Sequence, residues 1–120
     1  MKQENLEIVQ VIAVYDGWSK WEVQPFFGRE VYYHKQNDER HFLDTMPYST
    51  NLNWLHPVAI SLLFKLEKIG KEQGESLNLG IVYNGIVDSF KLSPVDGEYI
   101  NLFYGVYHAI QFLKSLEQLK

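Results

Sequence analysis

The stretch Tyr48-Ser-Thr-Asn-Leu-Asn-Trp-Leu-His-Pro-Val58, with the residues that follow it to Ile69, constrains the fold most. Apolar side chains recur at Leu55, Val58, Leu62, Leu66 and Ile69. Steps of three or four place them on one face of a helix packing on a core. Thr50, Asn51 and Asn53 each offer a side-chain oxygen to the free amides of a first helical turn. Pro57 lacks an amide hydrogen and crowds the carbonyl four residues back. The helix therefore either starts near Asn53 or begins at Asn51 and bends at Pro57. Lys65, Glu67, Lys68 and Lys71 make its wet face, and Gly70 and Gly74 place its end near Glu72.

Leu77 to Leu92 carries the clearest β pattern. Asn84-Gly85 suits a two-residue type I′ hairpin turn, because both residues tolerate positive φ. Such a turn sets Tyr83 against Ile86, Ile81 against Asp88, Leu79 against Phe90 and Leu77 against Leu92. All eight then share one face of the ribbon. Seven are apolar, so that face is expected to meet the core, with Asp88 as the exception.

Earlier in the chain, Asn5 to Tyr15 combines helical spacing at Leu6, Val9, Ile12 and Ala13 with strand-favouring Ile and Val. Helix is preferred, ended by Asp16-Gly17. Trp21, Val23 and Phe27 suggest a first strand limited by Pro25, Gly28-Arg29 a turn, and Val31-Tyr32-Tyr33-His34 a second strand. Gln36 to Arg40 is read as a polar loop, and His41 to Met46 shows no decisive period. Ser93-Pro94 marks a boundary. From about Glu98, Leu102, Phe103, Val106, Ile110, Leu113 and Leu116 form a last helical stripe, with Gly105 inside it. The expected fold is α+β: an antiparallel sheet of about four strands packed with three helices, in the order α-β-β-α-β-β-α. Helices on one sheet face or on both fit the pattern equally.

At 120 residues the chain is expected to be one domain, 1–120. It has no cysteine, which excludes disulfides and thiolate metal sites and fits a cytoplasmic setting. Fifteen acidic residues outnumber 11 basic ones, giving a net charge of −4. A protein that grips phosphate backbones usually carries a basic surplus, so nucleic-acid binding is disfavoured. The start, Met-Lys-Gln-Glu-Asn, has no basic region followed by an apolar core, so no signal peptide is expected there, and the apolar run Val11–Tyr15 is too short to span a bilayer.

Three blocks together are similar to a group of small, uncharacterised phage and prophage proteins. Ile12-Ala13-Val14-Tyr15-Asp16-Gly17-Trp18 resembles that group's Ile-Ala-Glu-Phe-Met-Gly-Trp start. Tyr48-x-x-Asn-Leu-Asn-Trp-Leu-His-Pro-Val58 resembles its Tyr-x-x-x-x-Asp-Trp-Leu-Met-Pro-Val block. Val106-Tyr-His-Ala-Ile-Gln-Phe-Leu-Lys114 resembles its closing helix. The chain departs from the group at Val14, where Glu is usual, and at His56, where Met is. The resemblance implies a phage-type α/β sandwich with a helical first element, and it carries over no catalytic residue.

Candidate chemistry is sparse. His34, His41, His56 and His108 lack the spacing of metal ligands, so no metal or other cofactor is expected. Asp88, on an apolar face, would need a partner and could mark an active site; a sheet margin or an ion pair explains it more simply. Tyr48, Asn53, Trp54 and His56 cluster where a helix begins, a place able to receive an anion. The structural alternative, Trp54 as core anchor and Asn53 as cap, is favoured. Eight Tyr, seven Phe and three Trp suit either a well-filled core margin or a binding surface. The expected function is a non-catalytic accessory module that binds a protein partner or forms a homo-oligomer. The rival is a small hydrolase using Asp88 with a histidine.

Overall fold

Helix α1, Gln3–Tyr15, buries Ile8, Val9, Ile12 and Ala13 on one side; of the expected stripe, Val9, Ile12 and Ala13 are buried and Leu6 is half-buried. In the computed structural model, residues 3–20, 30–34, 36, 38–74, 76–92, 94 and 96–118 are described. Asp16 and Gly17 close α1 by donating their amides to the carbonyls of Ile12 and Val14. Gly17 takes a φ of 103°, and a Cβ there would lie 3.0 Å from His34 Nε2. Only glycine satisfies both conditions without strain.

The chain forms two compact units, Met1–Pro47 and Tyr48–Lys120. In the first, strands β1 (Trp18–Lys20), β2 (Val31–His34) and β3 (Glu39–Phe42) make an antiparallel sheet in the order β1-β2-β3. Trp18 stands opposite His34, and His34 opposite Glu39. Alternation therefore sends Trp18, Tyr32 and His34 to one face, where all three are buried. α1 packs against β1 and the short 3₁₀ turn Leu43–Thr45, and Gln10 Nε2 donates to the Tyr32 hydroxyl at 2.8 Å. The opposite face carries Tyr33, whose hydroxyl donates to Asp38 and whose ring lies under Arg40. The strand expected at Trp21, Val23 and Phe27 lies outside the described residues. The segment expected to be a polar loop supplies the start of β3 instead.

The second unit is helical throughout its described elements: α2 (Leu52–Gln73), α3 (Leu77–Ser89) and α4 (Ile100–Gln118). Asn51 caps α2, its side-chain oxygen accepting the Asn53 amide at 2.9 Å. Leu55, Val58, Ala59, Leu62 and Leu66 are buried along it. Pro57 lies inside the helix, so the carbonyl of exposed Asn53 loses its usual intrahelical donor where water can replace it. Gly74, at φ 83°, ends the helix. α4 buries Leu102, Phe103, Val106, Ala109 and Ile110, and its start is tied to Ser49 by the Tyr99 amide at 2.7 Å. All three helices pack pairwise.

The α+β class agrees with the sequence, but the element count does not. The described residues hold three strands and four α-helices, because the expected hairpin at Leu77–Leu92 is helix α3. Asn84 and Gly85 take helical conformations, not the positive φ of a type I′ turn. The same residues also repeat at helical spacing, and Leu79 and Ile86 fall together on a buried side. Gly80 and Gly85 each weaken the helix by about 1 kcal/mol relative to Ala. Burying Leu79 and Ile86 returns about 1.5–3 kcal/mol each, and Ser76 Oγ caps the start at Leu79 N. Packing outweighs local preference.

Candidate functional site

The start of α2 is a structural anchor built from the residues the sequence singled out. Tyr48 is fully buried, and its ring meets Trp54 edge-on at 5.3 Å. Such a pair stabilises by about 0.5–1.5 kcal/mol beyond burial. Asn51 caps the helix, and Asn53, one of the cap candidates, is exposed in its first turn. His56 is also exposed and lies edge-on to Phe90 at 5.5 Å, just past the end of α3.

Asp88 does not stand on an apolar face. With α3 helical instead of a hairpin, its carboxylate points out in the last turn and pairs with Lys91 at 3.7 Å. Both side chains are more than two-thirds exposed, at 71% and 74%. A pair that wet contributes little. Of the five residues, the structure joins Tyr48 with Trp54, while His56 meets Phe90 and Asp88 meets Lys91.

A concave feature lies elsewhere, in an open groove of about 450 Å³ between α2 and α3. Leu66 and Leu79 form its apolar part, Gly70 and Gly80 widen it, and Tyr83 and Asn84 add a ring and an amide. Glu67 and Lys71 line it as an ion pair at 3.2 Å. Its volume falls in the range of small-ligand sites. Sequence reasoning missed it because Leu79 and Tyr83 were assigned to a sheet face. The helical spacing of Leu79 and Tyr83 was the available signal.

The first unit holds a second cluster. His34 is 7% exposed and its Nε2 lies 2.9 Å from the Asp16 carbonyl oxygen. A carbonyl only accepts, so Nε2 carries the proton, and Nδ1 is buried with no hydrogen-bond partner among the described residues. Trp18 stands edge-on to His34 at 5.1 Å and to His41 at 5.5 Å. Burial raises the Tyr32 hydroxyl above its ordinary pKa, partly countered by the Gln10 hydrogen bond. Donation to Asp38 raises Tyr33, and the Glu30 carboxylate raises Lys20. Among the described residues, no three of the His, Asp and Glu side chains gather as a metal site.

Fold and geometry thus define an α+β chain with a small antiparallel sheet unit and a three-helix unit bearing a groove. Comparison with known proteins adds no relative: no family model, curated protein or solved structure matches the chain.

Proposed function

We propose that the chain is a non-catalytic accessory protein of phage or mobile-element type. It acts in the cytoplasm by binding another protein or a second copy of itself. The observation that carries this is a set of large apolar side chains left exposed on α2 and α3. Leu77 and Ile81, one helical turn apart on α3, are 81% and 62% exposed, and Phe64 on α2 is 68% exposed. Covering large apolar side chains of this kind removes them from water and so favours association. The absence of cysteine suits a reducing compartment. Among the described residues, no helix is long and apolar enough to cross a membrane.

Affinity purification of the tagged chain from its host cell, with light scattering on the pure protein, tests the proposal. The expected result is a co-purifying protein or a mass above the monomer. The Leu77→Lys, Ile81→Lys double variant should lose either one while keeping its helical circular dichroism. A monomer that retains no partner overturns the proposal, as does association indifferent to the double variant.

A further inference from the structure

We infer that residues 77–92 are a conformational switch: helical while α3 is docked on α2 and α4, and a β-hairpin turning at Asn84-Gly85 once that docking is released. Two independent observations meet here. The first is the placement of the glycines. A Cβ at Gly80 or at Gly85 would meet nothing within 4 Å, so no close contact in the helical bundle demands glycine at either position. A type I′ turn does give one at Gly85, with Asn before it.

The second is the distribution of apolar side chains. As a helix the segment hides Leu79 and Ile86, yet leaves Leu77 81%, Ile81 62% and Leu92 52% exposed. A hairpin gathers Leu77, Ile81 and Leu92 on the same face as Leu79 and Ile86, because all five fall at alternate positions around the turn. The hairpin gathers the apolar side chains that the helix leaves in water, while the helix relies on burying Leu79 and Ile86 against its neighbours. Sequences with two packings close in free energy are the basis of fold switching, and whatever separates α3 from the bundle selects the second state.

The test is saturation-transfer NMR on the isotope-labelled full chain, which reports the backbone shifts of a minor state. The wild type, or a Leu79→Ala variant that weakens docking, is expected to show extended shifts at 79–83 and 86–90, with left-handed shifts at Asn84-Gly85. Gly80→Ala strengthens helix and strand by similar amounts and leaves that population within about twofold. Gly85→Ala strengthens the helix and removes the turn, so the extended state vanishes. A minor state with coil shifts overturns the inference, as does none at all in either the wild type or Leu79→Ala. Equal effects of the two alanines overturn it too. If Leu79→Ala does not fold, the wild type and the two glycine variants decide.

Discussion

Helices α2 and α3 lie side by side in the same unit, yet they are helical for different reasons. α2 carries local helix signals that outweigh Pro57 and Gly70: a capping Asn51, five buried side chains at helical spacing, and Lys–Glu pairs one turn apart along its wet side. α3 has a cap at Ser76 but only two buried side chains, two interior glycines and the β-branched pairs Ile81-Val82 and Ile86-Val87. Its helix is imposed by contact with α2 and α4. One helix would be expected from its sequence in many settings, the other only in this one.

The sharpest way to break the contrast is to remove a buried anchor from each helix. Ile86→Ala and Leu62→Ala should each cost about 2–5 kcal/mol in urea denaturation. Amide hydrogen exchange separates them: Ile86→Ala should speed exchange through 77–89 while α2 stays protected. Leu62→Ala should lower protection across the whole helical unit. If Ile86→Ala deprotects α2 equally, α3 is not the dependent element.

A smaller effect is expected at the caps. Asn51→Ala and Ser76→Ala each remove one side-chain acceptor from a helix start, at about 1 kcal/mol. The loss at Ser76 should spread along all of α3, because little local preference resists fraying there. The loss at Asn51 should stay within the first turn of α2. Nuclear magnetic resonance secondary shifts would show the difference, and fraying of equal extent would remove it.

The smallest effect concerns the wet side of α2. Glu67→Gln breaks the pair with Lys71, which is about half to three-quarters exposed, and should change stability by only about 0.3–0.5 kcal/mol. A melting shift much larger than this would mean that α2 also leans on electrostatics. Adding salt should reproduce the small loss in the parent protein.

Much of the fold was legible where local signals agree. The apolar spacing of Val9, Ile12 and Ala13 in α1, of Leu55 to Leu66 and of Leu102 to Ile110 matches the buried residues, and Val31–His34 is a strand. Asn51 was one of three cap candidates, and only the structure chose it over Asn53. The candidate site was less legible. Tyr48 and Trp54 are together as a core anchor; the apolar face around Asp88 was a consequence of the hairpin assignment, whereas the ion pair favoured for it is present, with Lys91. The groove lies between two helices, one of which was not expected to be a helix.

By itself the sequence determined which segments carry apolar periodicity, where caps and glycines stop them, and that an antiparallel sheet accompanies helices. Those features act over one or two turns of chain, so neighbouring residues encode them. The state of residues 77–92 was decided only by tertiary structure. Its side chains satisfy the two-residue period of a strand and the longer period of a helix at once. The burial of Leu79 and Ile86 against residues distant in sequence breaks that tie.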